Sequence, residues 1–87
     1  MNLKEIVGIN LKYYRYKSGY SQEKFYANLG LNHKYCAEIE RGEINLTADT
    51  IHDLAKKLGV DVNDLILYNE NHIIHKKRID EKVKIEN

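Results

Sequence analysis

Proline is absent from the 87 residues, and cysteine occurs only once, at Cys36. Without proline, the chain has to be punctuated by glycine, asparagine and aspartate. A lone cysteine excludes an internal disulfide. The opening MNLKEIVGIN has neither the apolar core nor the cleavage pattern of a secretory signal, so a reducing interior, the cytoplasm, is the expected setting. No uncharged apolar run approaches the roughly 18 to 20 residues needed to span a bilayer, so a soluble protein is expected. A chain this short has room for one compact domain with a modest core, which leaves little space for an elaborate active site.

A strong excess of either charge is also lacking, because 14 Lys and Arg stand against 13 Asp and Glu, for a net charge of +1. The total hides an asymmetry. Residues 1–41 hold seven bases and four acids (+3), residues 42–67 two bases and five acids (−3), and residues 68–87 five bases and four acids (+1). The basic excess therefore lies in the first half, where it suits a polyanion, with the second half serving another purpose.

What is present is helical periodicity. Leu3, Val7, Leu11 and Tyr14 trace one face of a helix from about Leu3 to Ser18, which Gly19 ends. Ser21 can cap a second helix, Gln22 to Leu29, spaced by Phe25 and Leu29 and terminated by Gly30. Asn32 can cap a third, His33 to Arg41, whose buried stripe includes Cys36 and Ile39 and which Gly42 closes. Thr47 opens a fourth with Ile51, Leu54, Ala55 and Leu58 inside and Gly59 as its stop. Asp61 opens a short fifth with Val62, Leu65 and Ile66 on its apolar side. None of the five segments shows a sustained strand pattern, so an all-α bundle of five helices over residues 1–67 is predicted, followed by a C-terminal extension over residues 68–87.

Two helices joined by a short turn containing glycine form the unit in which the first helix spans a phosphate backbone and the second enters the major groove. In this chain those helices are the second and third. Bases are reached from the N-terminal part of the second member, and His33, Lys34, Ala37 and Glu38 are expected to face outward there. The matching chemistry is guanine or phosphate for His33, guanine for Lys34, a thymine methyl for Ala37 and a cytosine amino group for Glu38. Tyr35 belongs to the same candidate set. Gln22, opening the second helix, suits a phosphate or an adenine, and Lys24 suits a phosphate.

The words VGINLKYYR, SGYSQEKF, GLNHKYCAEIERGE and TADTIHDLAKKLGVDVNDLI, in this order, resemble the helix-turn-helix domain of the phage repressor and Cro (XRE-like) family over about 60 residues. The resemblance implies a lambda-repressor-like bundle, DNA contacts at Gln22, Asn32, His33, Lys34 and Glu38, and a place near the DNA backbone for Arg41. It also implies an ion pair between Arg15 and Glu40, tying helix one to the end of helix three. Four positions depart from the family pattern. Tyr26 stands where a small alanine is common, Leu46 where a proline is usual, and Cys36 and Ala37 where isoleucine and serine are frequent.

Other residues have blander readings. Cys36 falls on the inward face and reads as a small core hydrophobe rather than a redox switch or nucleophile. His72 and His75 are too few for a zinc site and read as part of a solvated tail, so neither metal nor cofactor is expected. Of the tyrosines near the end of helix one, Tyr14 is expected in the core, with Tyr13, Tyr16 and Tyr20 covering surface between helices. Lys12 and Lys17 are candidate phosphate contacts or plain solvated lysines.

One short reading helix calls for a dimer that engages two half-sites. Leu67, Tyr68, Ile73 and Ile74 are apolar residues without a place in the five-helix core, and they are the expected homodimer contact. The segment from Arg78 to Ile85 is compatible with an added helix, an added strand or disorder. The leading expectation is a homodimeric transcriptional repressor bound to a palindromic operator in double-stranded DNA. The controller of a restriction-modification system and an antitoxin are alternatives, the latter with a toxin as protein partner, as polymerase would be for a regulator. A protein-interaction module that has lost DNA binding is the alternative of another class. No paired carboxylates, metal cluster or phosphate-cradling glycine loop argues for an enzyme.

Overall fold

A computed structural model describes residues 1–73. Five helices lie wholly within these residues, in the order α1 Leu3–Ser18, α2 Gln22–Asn28, α3 His33–Glu40, α4 Ala48–Leu58 and α5 Val62–Ile66, and no strand occurs among the described residues. Each helix opens on a side chain that accepts a hydrogen bond from its own first turn: Asn2, Ser21, Asn32, Thr47 and Asp61. Such caps satisfy amides that have no partner inside the helix. At Asn2 and Asp61 the cap is reciprocal, because Glu5 and Asp64 accept from the backbone amides of the capping residues.

All five helices contribute to one core. Val7 and Leu11 from α1 meet Phe25 and Tyr26 from α2, Cys36 and Ile39 from α3, Ile51, Leu54 and Ala55 from α4, and Leu65 from α5. Leu46, the residue in place of the usual proline, packs against this cluster together with Leu29, Leu31 and Leu58. Leu3 departs from the face expected of it. It is 51% exposed and lines a cavity beside Val7, Leu46 and Ile51 instead of entering the core. Tyr14 likewise sits half-buried at the rim of the core rather than within it.

α1 lies against the end of α3 more closely than a side chain would allow. A Cβ on Gly8 would fall 2.4 Å from the carbonyl oxygen of Ile39 and 2.8 Å from that of Glu40. Glycine at this position therefore sets how near the two backbones come.

The join between bundle and extension corrects the reading of His72 as a solvated residue. His72 is only 6% exposed. Its Nδ1 lies 2.7 Å from Oδ1 of Asn10, and its ring stacks on Tyr13 with centroids 3.7 Å apart. Asn10, itself buried in α1, donates through Nδ2 to the carbonyl oxygens of Leu65 at 2.7 Å and Leu67 at 3.1 Å. One amide thus satisfies two carbonyls at the end of α5 and fastens the chain beyond it. Residues 70–73 are helical. The expectations for Ile74, His75 and the Arg78 to Ile85 segment lie outside the described residues. Among the described residues no helix is long and apolar enough to cross a membrane.

The Gly8 contact gives a direct test. Gly8→Ala should lower unfolding stability by about 3 kcal/mol, at the upper end for overpacking because the obstruction is backbone. Urea denaturation followed by circular dichroism measures it, and an unchanged midpoint would mean that α1 and α3 have room to part.

Candidate nucleic-acid interface

The turn between α2 and α3 consists of Leu29, Gly30, Leu31 and Asn32. The Gly30 amide donates to Ala27 at 3.0 Å and the Leu31 amide to Tyr26 at 2.9 Å, which closes the end of α2. Gly30 has φ +70°, a left-handed conformation that glycine adopts without strain. Leu29 and Leu31 on either side of it pack onto the core. Asn32 then accepts from the Tyr35 amide at 2.9 Å and starts α3 at a defined angle to α2.

From that start α3 buries Cys36, Ala37, Ile39 and Glu40 and leaves His33, Lys34 and Tyr35 exposed, with Glu38 half-buried. Asn32, at its cap, is exposed as well. The outward placement expected of Ala37 is overturned, since it is only 8% exposed. The reason is Glu40. With a carboxylate turned inward beside Cys36 and Ile39, the inner face of α3 is wider than its apolar residues indicate, and Ala37 falls within it. The burial of Cys36 raises its thiol pKa to about 11, with the negative charge of Glu40 adding to the effect. It is an unreactive core residue.

Arg15 and Glu40 form the ion pair that the resemblance implied. Nε and Nη2 of Arg15 donate to Oε2 and Oε1 of Glu40, each at 2.8 Å, with the two side chains 11% and 3% exposed. Burial works against a charged Arg15, but the hydrogen bond and charge of Glu40 outweigh it and its pKa rises. Two further donors reach the same carboxylate. The Tyr26 hydroxyl donates to Oε2, and Nε2 of Gln22 donates to Oε1 at 3.1 Å. Burial, followed by the charge and hydrogen bond of Glu40, holds the Tyr26 phenol far above its ordinary pKa, so it remains a donor. Each oxygen of the buried carboxylate thus accepts two hydrogen bonds, which is what a buried charge needs.

This arrangement assigns Tyr26 a part that its position alone did not suggest. The ring fills the space between α2 and α3, fully buried and edge-on to Phe25 with centroids 5.1 Å apart, while its hydroxyl completes the Glu40 site. A tyrosine on an inner helical face signals a buried hydroxyl that needs a partner. Asn10 carried a similar signal: it shares a face with Val7, and a polar side chain there has to be satisfied from inside.

Among the other expected contacts, Gln22 does not stand free on the surface. Its Oε1 lies 2.8 Å from Nε2 of His33, so the first residues of α2 and α3 are joined. Arg41 is exposed and paired with Glu43, its Nε lying 2.9 and 3.1 Å from the two carboxylate oxygens. A phosphate would have to compete with that carboxylate for the guanidinium. Lys24 is exposed, its ammonium 5.5 Å from the ring centroid of Tyr20. Lys12 and Arg15 lie over Tyr16, and Lys17 over Tyr13, so cationic side chains cover tyrosine rings along the end of α1.

The helix-turn-helix family profile matches residues 11–65, which include all of α2, the turn and all of α3. The chain belongs to this XRE-type family of DNA-binding transcription regulators. It is 35% identical over 66 residues to an uncharacterized HTH-type transcriptional regulator, y4dJ, of Sinorhizobium fredii, covering 76% of this chain and 86% of that one. It is 38% identical to the control protein C.SmaI of Serratia marcescens, covering 76% and 79% of the two chains. The control protein C.BamHI of Bacillus amyloliquefaciens is 42% identical over 50 residues, 58% of this chain and 62% of that one. Among solved structures, a hypothetical transcription factor from Neisseria superposes with a TM-score of 0.70 at 28% identity, covering 83% of each chain.

The buried pair makes a stability prediction. Arg15→Met keeps most of the side-chain volume but leaves the Glu40 charge with only neutral donors, and should cost about 3 kcal/mol in unfolding free energy. Chemical denaturation measures it. A loss below about 0.5 kcal/mol would mean that Tyr26 and Gln22 satisfy the carboxylate by themselves.

Proposed function

We propose that the protein is a cytoplasmic, sequence-specific transcriptional repressor that binds a palindromic operator as a homodimer, with α3 as the helix that enters the major groove. The carrying observation is the exposed opening of α3, where His33, Lys34 and Tyr35 follow the Asn32 cap at the end of a hydrogen-bonded turn. A helix end of this kind fits a groove about 12 Å wide and can bring side chains to base edges. Lys34 suits guanine and Glu38 a cytosine amino group, while Lys24 and Arg41 are phosphate contacts. The second half of the molecule supports the dimer. Leu67 and Tyr68, 58% and 60% exposed, stand next to the chain that His72 fastens to α1, so two exposed apolar side chains lie beside an anchored segment. Two copies joined there would present two α3 helices to half-sites about 34 Å apart.

A second reading is favoured by one observation, the control-protein names of two relatives. On that reading the regulated gene is a restriction enzyme or its modification partner, and the DNA chemistry is unchanged.

Selection of bound duplexes from a random library tests the reading. The double variant Lys34→Ala with Glu38→Ala should select a different consensus, whereas Lys24→Ala should keep it, weaken all sites alike and reduce the salt slope of binding by about 1. An unchanged consensus in the double variant would remove α3 as the reading helix. For the dimer, Leu67→Asp combined with Tyr68→Asp should convert a dimer into a monomer in sedimentation and weaken operator binding. A wild-type chain that is monomeric both free and on DNA would overturn that part.

A further inference from the structure

The chain of hydrogen bonds from Glu40 to His33 fixes more than the place of the histidine. A buried carboxylate paired with Arg15 can only accept, so the group that Gln22 turns toward it, 3.1 Å from Oε1, must be the amide nitrogen. The Gln22 oxygen is then turned toward Nε2 of His33, 2.8 Å away. An amide oxygen can only accept, so the neutral imidazole must carry its proton on Nε2. Its Nδ1 is left with a bare lone pair on an exposed side chain at the mouth of α3.

We infer that Glu40, acting through Gln22, makes His33 a hydrogen-bond acceptor toward DNA, so that His33 reads the exocyclic amino group of adenine or cytosine rather than the acceptor edge of guanine. This deepens the proposed function and rests on it. In the major groove only adenine N6 and cytosine N4 offer donors, whereas guanine presents N7 and O6 and thymine presents O4, all acceptors. A neutral His33 whose Nε2 proton is committed to Gln22 has no N–H left for guanine. The assignment therefore replaces the guanine or phosphate contact that residue type alone suggested. Gln22 and Glu40 are positioning residues in this scheme, and the Tyr26 hydroxyl and Arg15 hold the carboxylate that orients them.

The first measurement needs no DNA. In the full-length protein at pH 8, nitrogen-15 spectra of the imidazoles should place the His33 proton on Nε2, with Nδ1 unprotonated. The Nε2 proton should be protected from solvent exchange by at least tenfold relative to that of the exposed His52. Gln22→Met should abolish that protection. A proton on Nδ1 in the wild type, or protection that survives Gln22→Met, would overturn the assignment whatever the protein binds.

The second measurement uses the selected duplex. The base pair read by His33 is the one whose preference disappears in His33→Ala. Replacing the amino group there by hydrogen, with purine for adenine or 2-pyrimidinone for cytosine, should weaken wild-type binding about tenfold and leave His33→Ala binding unchanged. Replacing a purine N7 by carbon at the same pair should leave the wild type unaffected. The opposite pattern, sensitivity to N7 and not to the amino group, would overturn the acceptor role while leaving the protein a DNA binder. Failure to select any duplex would instead overturn the proposed function, and the base contact with it.

Discussion

Glu40 is the point on which the arrangement of the first three helices depends. Its carboxylate is enclosed among α1, α2 and α3 and takes donors from each of the first two: Arg15 from α1, and Gln22 and Tyr26 from α2. A buried charge is tolerated only when its lone pairs are used, so moving any one of these helices leaves a donor or an acceptor unsatisfied. Hydrophobic burial among Val7, Phe25 and Ile39 draws the same helices together but permits sliding. The directed bonds to Glu40 select one register. Gly8 contributes from the other side by letting the α1 backbone reach the carbonyls of Ile39 and Glu40.

Because Glu40 lies on α3, the constraint is passed directly to the surface. The helix whose inner end holds the carboxylate is the helix whose outer end presents His33, Lys34 and Tyr35. Gln22 bridges the two ends, bonded to Glu40 on one side and to His33 on the other. A reading helix gains selectivity when its side chains are held before they meet the bases, because less freedom remains to be lost on binding. Tyr26, bulkier than the residue common in the family at this position, does not spoil the packing of α2 on α3, because its hydroxyl joins the same site. A second fixed point, Asn10 with His72, holds the chain beyond α5 against α1. The DNA-facing and partner-facing surfaces of the proposal thus share α1 as their base.

Much of this was legible in the sequence, and the reason is that it is local. Ser21, Asn32, Thr47 and Asp61 cap the helices they were expected to cap, and Gly19 and Gly59 follow the helices they were expected to end, since caps and left-handed stops act within a turn of themselves. The helix-turn-helix shows in the same punctuation together with the words around it. The Arg15 to Glu40 pair came from the family resemblance, because nothing in the spacing of two charges 25 residues apart reveals that they meet.

Side chains whose surroundings come from distant parts of the chain were not legible in this way. Ala37 is buried because Glu40 is an inward residue, a fact settled by Arg15, Tyr26 and Gln22 rather than by α3 itself. His72 is buried because an asparagine 62 residues earlier accepts from it and Tyr13 stacks on it, whereas its own neighbours are polar and read as solvated. Gln22 turns its nitrogen inward because a carboxylate from another helix can only accept. Where helices start, where they stop and which of their faces are apolar is written along the chain, since caps and periodic burial act over short range. The orientation of polar groups in the interior followed from packing, because a hydrogen bond depends on which atoms face each other after the helices have closed.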